Sequence, residues 1–295
     1  MIDTSRILVT GTSGQLGKAF RIVIPDALFT SRLELDCSWE SCKIITALEE
    51  LRPAAIVHTA AATNVDAAEL HPSAALRVNA YSTGAIVEYC RTADIPLIYY
   101  STDYVFNSKP QIKGHTEHEI PNPQSVYGVS KYVGELYVGT YAKGTVIRLS
   151  SIFGDGTNFV NTILQLSESL NIIPVVSDQV MRPTYAHDAA RATLQLLERH
   201  WNGEEWRLPQ IIHMQNSGPS ESWAQYAQQI LFLAGKKTRV REITFGQYRA
   251  DRVPKVTAPR PSNSVFDVAL LEGLGVTMPN WVDSLTSFLV EHPRT

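Results

Sequence analysis

Tyr127 and Lys131 stand four residues apart in Tyr127-Gly-Val-Ser-Lys131. Residues i and i+4 share a helical face, so the ammonium can approach the phenol. A free phenol titrates near ~10. Positive charge from Lys131 and from an oxidised nicotinamide ring would lower that value and make Tyr127 a proton donor to a carbonyl receiving hydride. In a chain with 12 tyrosines the pair alone is a weak signal, more often a solvated helix face. Its company strengthens it. Tyr100-Ser-Thr-Asp-Tyr-Val-Phe106 closes an apolar run, and there Thr102 offers a hydroxyl to a substrate carbonyl, with Asp103 and Tyr104 beside it. The alternative is a polar strand end that opens a turn. Gly11-Thr12-Ser13-Gly14-Gln15-Leu16-Gly17 follows the first apolar run directly. Glycines so spaced let the backbone turn tightly and approach a pyrophosphate at a helix N-terminus. In a chain with 17 glycines, chance would supply such a triplet about 0.06 times, so this motif is read as a dinucleotide site.

These groups need a scaffold that gathers strand ends and helix starts. β-type runs at Arg6–Thr10, Ala27–Thr30, Ala54–Thr59, Pro96–Thr102 and Thr145–Ser150 alternate with helix-length segments at Gln15–Val23, Ser41–Leu51, Ala74–Arg91 and Ser125–Tyr141. Several runs are apolar on both faces, as in strands covered by helices on each side. The alternation predicts an α/β fold, a doubly wound parallel sheet of the Rossmann type with right-handed crossovers. Ligands of such sheets lie outside the carboxyl ends of the strands, where the three motifs fall. After residue 150 loops rich in Gly, Asn and Pro appear, with helical patterns at Asp188–Arg199, at Ser222–Ala234 and from Asn280. The expected organisation is a dinucleotide-binding domain over residues 1–150 and a smaller mixed α/β substrate domain over 151–295, with segments near 185–216 returning to the sheet.

Composition bounds the alternatives. In 295 residues, 44% are apolar and 19% charged, which excludes an intrinsically disordered chain. Lys+Arg is 26 against 29 Asp+Glu and no long basic run occurs, which argues against nucleic-acid or membrane-surface binding. Three irregularly spaced cysteines, Cys37, Cys42 and Cys90, offer neither a disulfide framework nor a zinc motif. No apolar run approaches 18 residues and no leader pattern precedes the first strand. The expectation is a reduced, cytoplasmic protein without a metal.

The three motifs, in this order, resemble the extended short-chain dehydrogenase/reductase superfamily, and within it the dTDP-4-dehydrorhamnose reductase family. The resemblance covers nearly the whole chain. It includes Ala60-Ala-Ala-Thr-Asn-Val-Asp-Ala-Ala-Glu69, Val78-Asn-Ala80, Ser101-Thr-Asp-Tyr-Val-Phe106, Asp178-Gln179, Pro183-Thr184 and Arg260-Pro-Ser-Asn-Ser264. It implies a reductase of a nucleotide-linked 4-keto-6-deoxyhexose, most simply dTDP-4-dehydro-L-rhamnose, acting as a monomer or homodimer. Tyr127 would be the proton donor, Lys131 would bind the nicotinamide ribose and tune Tyr127, and Thr102 would orient the ketone. The glycine loop would wrap the diphosphate, and Ala60, Ala61 and Ala62 would line the coenzyme. Asn158 and Arg260 lie where the family contacts the sugar nucleotide. The chain departs from the family at Ser151, where an aromatic residue is usual, and at Arg182 before Pro183. Arg182 could clamp a diphosphate or face solvent, and Phe153 or Tyr185 could replace the lost ring. A metal-binding carboxylate of the first helix is missing at Lys18-Ala19.

Coenzyme choice is read from the end of the second strand, where an acidic residue usually binds the ribose of NAD. Here Ser31-Arg32 follow, with no carboxylate until Glu34, and Asp36 closes the segment. A guanidinium suits a 2′-phosphate, so NADPH is expected, with NADH the alternative. His115-Thr-Glu-His118 is read as a solvated loop rather than a metal site. Other readings are an epimerase of the same superfamily, a dehydratase, and a non-catalytic coenzyme-binding regulatory subunit. A dehydratase would carry Asp-Glu after the threonine, where Asp103-Tyr104 stand.

Overall fold

The computed structural model describes residues 2–107, 114–251 and 256–292; one of the Pro-rich loops expected after residue 150, Pro254-Lys-Val-Thr-Ala-Pro-Arg-Pro261, lies partly outside them. Five parallel strands run where the apolar runs predict, four of them shortened by a residue or two and the fifth displaced by one: β1 Ile7–Val9, β2 Leu28–Phe29, β3 Ala55–His58, β4 Leu97–Thr102 and β5 Gly144–Leu149. Their order is β2-β1-β3-β4-β5, and Ile211–His213 adds a sixth parallel strand beside β5. The order reverses between β1 and β3, which opens a crevice at their carboxyl ends.

Strand alternation sends side chains into two cores. Ile7, Val9, Ile98, Tyr100 and Ile147 meet Phe20 of α1 (Gln15–Val23) and Leu196 of the Ala186–His200 helix. Leu8, Ile56, Leu97, Tyr99 and Val146 face the other way, onto Ile44 and Leu48 of α2 (Ser41–Leu51) and Ile86 of the Ser82–Ala93 helix. Both faces of β1, β3, β4 and β5 are thus buried, as the doubly apolar runs require.

One predicted element is broken. The helix expected over Ala74–Arg91 is a short helix at Pro72–Leu76, a π-helical turn at Arg77–Tyr81 and a longer helix at Ser82–Ala93. The Asn79 carbonyl in this turn is taken by Thr83 Oγ1 at 2.9 Å and by the Tyr99 hydroxyl at 3.1 Å. Donors from outside the helical ladder thus support the widened turn.

The remaining elements build a second lobe. Val180–Met181 lies between Glu221–Ser222 and Asn263–Ser264 in a mixed three-stranded sheet, and Ile172–Val176 pairs with Arg239–Ile243. Val160, Ile163, Tyr226, Ile230, Trp281, Leu285 and Phe288 form its core. Its helices begin at Ser222, which makes a reciprocal cap with Gln225, and at Asn280, whose side chain accepts from Val282 N–H.

The Val126–Gly139 helix is fixed to β5 by a buried ion pair. Arg148 Nε lies 2.9 Å and Nη2 2.6 Å from the two Glu135 carboxylate oxygens, and the guanidinium stands over the Phe106 ring. Removing one partner leaves a buried charge, which typically costs ~3–5 kcal/mol, whereas an apolar pair of similar volume is often neutral. Glu135→Ala should therefore lower unfolding stability by about that much in urea titration, and Glu135→Leu combined with Arg148→Met should recover most of it. Equal losses in both variants would show that the charge pair is not what is stabilised.

Candidate active site

Gly11 has φ +67, and a β-carbon there would sit 2.6 Å from the Ala60 backbone. A β-carbon at Gly17 would strike the Gly11 carbonyl and Thr12. Only glycines let the loop, α1 and the end of β3 meet so closely. Thr10 joins the two strand ends: its hydroxyl lies 2.8 Å from His58 Nδ1, and its carbonyl accepts from Thr59 Oγ1 at 2.6 Å. Burial pushes His58 down to about 3, so the ring is neutral. Gly14 caps α1 without a side-chain hydrogen bond, and the first helical residues, Gln15 and Leu16, line the crevice, an arrangement that suits an anion.

The crevice widens into a cleft of about 930 Å³. Gly11 to Leu16 line it, together with Ser31, Arg32 and Asp36. Ala60, Ala61 and Ala62 line it as well, as do Thr102, Asp103, Tyr104 and Tyr127. Thr30 Oγ1, Ser101 Oγ and Gln15 Oε1 are buried in residues of this lining without a protein hydrogen-bond partner. The glycine cradle, the open helix start and these polar atoms fit a dinucleotide. Arg32 is exposed; the N–H and hydroxyl of Ser31 both donate to the Glu34 carboxylate, at 2.8 and 3.0 Å.

Ser125 caps the helix that carries Tyr127 by accepting from Gly128 N–H. A β-carbon at Gly128 would strike the Tyr104 carbonyl, so this helix start lies directly on the turn after β4. Tyr127 meets Tyr104 edge to face at 5.4 Å. Burial raises the Tyr127 phenol above its ordinary range, against the lowering effect of a hydrogen bond with Thr102. The expected depression by Lys131 is not found: desolvation is the largest effect, and the lowering contribution comes from Thr102 rather than from Lys131. Lys131 lies behind the cleft wall, 3% exposed, with Nζ 4.0 Å from the Tyr99 ring centroid. Burial pushes its ammonium down to about 7, and Glu135 opposes the shift. Asp103, also buried, is pushed up to about 6.

Other expected residues stand elsewhere. Among the described residues the cleft lining does not include Gly17, Lys131, Asn158, Arg182 or Arg260. Gly17 packs on the loop itself. Asn158 is a helix cap: Oδ1 accepts from Asn161 N–H at 2.9 Å, and Nδ2 donates to the Gly154 and Gly156 carbonyls. Its carboxamide is thus engaged in the local turn. Arg260 pairs with Asp66 at 3.2 Å and reaches the Tyr104 hydroxyl at 3.5 Å, which ties it to the cleft through Tyr104. Arg182 is half-buried with Nε unpartnered. Ser151 does line the cleft, in a left-handed conformation with φ 49. Phe153 and Tyr185 stack on each other at 5.0 Å within the second core, and neither replaces the missing ring. His115 is not solvated: it is fully buried, stacked on Phe106 at 4.2 Å, and 2.8 Å from Glu119. Among the described residues no three His, Cys, Asp or Glu side chains are grouped to hold a metal, and no helix is long and apolar enough to cross a membrane.

Sequence reasoning missed the role of Asn79. Its Oδ1 accepts from Ala62 N–H at 2.7 Å, and its Nδ2 donates to the Ala62 carbonyl at 3.1 Å and to Ser130 Oγ at 2.8 Å. It fixes the alanine wall to the Tyr127 helix. The resemblance includes it in Val78-Asn-Ala80 but assigns it no role, since its partners come from distant parts of the chain.

The RmlD substrate binding domain family model matches residues 5–293. The dTDP-4-dehydrorhamnose reductases of Sinorhizobium fredii and Aggregatibacter actinomycetemcomitans are 32% and 31% identical, each over 95% of this chain and over 95% and 97% of their own lengths. A crystal structure of dTDP-4-dehydrorhamnose reductase from Bacillus anthracis in complex with NADP superposes with a TM-score of 0.87 at 31% identity, covering 97% of this chain and 99% of that one. UDP-glucose 4-epimerase from Thermus thermophilus, at 19% identity and a TM-score of 0.75 over 97% of this chain and 98% of its own, shares the fold. With its glycine cradle, its Thr102–Tyr127 pair and a match along nearly its whole length, the chain belongs to the dTDP-4-dehydrorhamnose reductase family.

Proposed function

We propose that this protein reduces the 4-keto group of a dTDP-linked 6-deoxyhexose with NADPH, converting dTDP-4-dehydro-L-rhamnose to dTDP-L-rhamnose. The observation that carries the reading is that Thr102 and Tyr127 line the same cleft as the glycine loop. The relatives' activity and the NADP-bound neighbour support it. Bound NADPH supplies the hydride that reduces the ketone carbon. The loop from Gly11 to Leu16 would hold its diphosphate, Ala60 to Ala62 its flank and Arg32 its 2′-phosphate. Lys131 would reach the ribose from behind Tyr127. Tyr127, held protonated by burial, would give its proton to the carbonyl oxygen, which Thr102 orients. The substrate's nucleotide would lie toward the second lobe, with Tyr104 and Arg260 at that end. Residues 1–150 would thus serve the coenzyme and much of 151–295 the sugar nucleotide. The cysteines are free, which suits a reducing compartment, and the cytoplasm is the proposed location.

Turnover is measured by NADPH oxidation with dTDP-4-keto-6-deoxy sugars generated in situ. Tyr127→Phe keeps the ring and removes the donor, so kcat should fall ~10²–10⁴-fold while NADPH still binds. Turnover near that of the wild type would reject Tyr127 as the acid.

The wild type should favour NADPH over NADH in kcat/KM. Arg32→Ala should reduce that preference by about tenfold or more, since a hydrogen bond to a charged group is worth ~1.5–3 kcal/mol. A wild-type preference for NADH would refute the assignment of Arg32.

A further inference from the structure

Lys131 lies behind the cleft wall, and its ammonium sits on a flexible four-carbon stem that by itself fixes no position. Glu135, one turn further along the same helix, gives both carboxylate oxygens to Arg148. The ammonium stands instead over an aromatic face, 4.0 Å from the Tyr99 ring centroid. A cation within about 6 Å of a ring centroid is drawn to the negative face of the ring, most strongly where water is excluded. Water is largely excluded here, since Tyr99 is fully buried and Lys131 nearly so.

Several elements hold the ring in place. Its hydroxyl is shared between the Asn79 carbonyl of the π turn, at 3.1 Å, and the Lys131 carbonyl, at 3.3 Å. Gly134 makes room for that hydroxyl, because a β-carbon there would strike its oxygen. The His58 ring stacks on Tyr99 with centroids 5.7 Å apart, and Thr10 Oγ1 lies 2.8 Å from the His58 Nδ1. Burial and the Lys131 charge both lower His58, so the neutral imidazole puts no competing cation beside the ring. Tyr99 thus joins the ends of β1 and β3 to the helix that carries Tyr127 and Lys131.

We propose that Tyr99 is a positioning residue for coenzyme binding, its ring face holding the Lys131 ammonium in place for the nicotinamide ribose. The proposal rests on the coenzyme role of Lys131 given above. The two parts of the side chain act separately. The hydroxyl ties β4 to the π turn and to the helix, which contributes stability. The ring favours the charged ammonium against the burial that works to discharge it, which contributes binding. Without the ring the ammonium would swing on its stem or give up its proton, and the ribose hydroxyls would lose a charged donor.

The test is NADPH binding, followed by the coenzyme's fluorescence, with folding followed by thermal melting. Tyr99→Phe keeps the ring and removes the hydroxyl. Its melting temperature should fall while its Kd stays within about twofold of the wild type. Tyr99→Leu removes the ring as well and should raise Kd at least about fivefold over Tyr99→Phe. On a Lys131→Met background the Phe and Leu variants should bind alike, because the cation that the ring serves is gone. If Tyr99→Leu does not fold, mono-, di- and trifluorinated phenylalanine at position 99 decide. They keep the ring's shape and drain negative charge from its face, so Kd should rise stepwise, to about threefold or more with the trifluorinated ring. Equal or tighter binding by Tyr99→Leu, an unchanged Kd across the fluorinated series, or a Phe-to-Leu difference that persists on Lys131→Met would overturn the role of the ring and leave the reductase reading intact. A wild type that binds no NADPH would overturn both.

Discussion

The contact between the Gly11 and Ala60 backbones is the constraint on which the rest depends. A β-carbon would lie 2.6 Å from Ala60, so the first loop and the end of β3 can share the crevice only if position 11 has no side chain. That closeness sets the start of α1 and brings Gln15, Leu16 and the Ala60–Ala62 segment to one cleft. Asn79 transmits the position of this wall to the Tyr127 helix through Ala62 and Ser130. Coenzyme cradle and proton donor are therefore parts of one hydrogen-bonded frame.

Desolvation sets the chemistry inside that frame. It raises the Tyr127 phenol, lowers the Lys131 ammonium and raises the Asp103 carboxyl. All three shifts favour the neutral forms, as burial in a low dielectric requires. The groups opposing the shifts are specific: Thr102 for Tyr127, Glu135 for Lys131 and Ser264 for Asp103. Tyr127, Lys131 and Glu135 succeed one another at i+4 on a single helix, and the Glu135–Arg148 pair anchors the end of that row in the core.

The sheet and its helices were legible because their signals are local. Doubly apolar runs mark parallel strands, and the boundaries of α1 and α2 fall where Gln15–Val23 and Ser41–Leu51 predict. The π turn at Arg77–Tyr81 was not legible, since it depends on Tyr99, a residue from another element. The cleft-facing members of the site were readable from spacing: Gly11 to Leu16, Thr102 and Tyr127 all line it. Burial was not readable. His115 looks like a surface loop residue but stacks on Phe106 in the core. Asn158 looks like a ligand contact, but a helix start also needs such a residue and takes its side chain. The direction of the Tyr127 shift depends on how many atoms surround the phenol, which no four-residue spacing encodes.

The proposed function stands on one step: hydride delivered to carbon 4 of a dTDP-linked 6-deoxyhexose. NADPH carrying deuterium at the transferable position of the nicotinamide ring, incubated with the protein and dTDP-4-dehydro-L-rhamnose generated in situ, tests it directly. The product should be dTDP-L-rhamnose with deuterium at carbon 4, read by NMR. Coenzyme that binds but is not oxidised, or is oxidised without label reaching carbon 4 of the sugar, would contradict it.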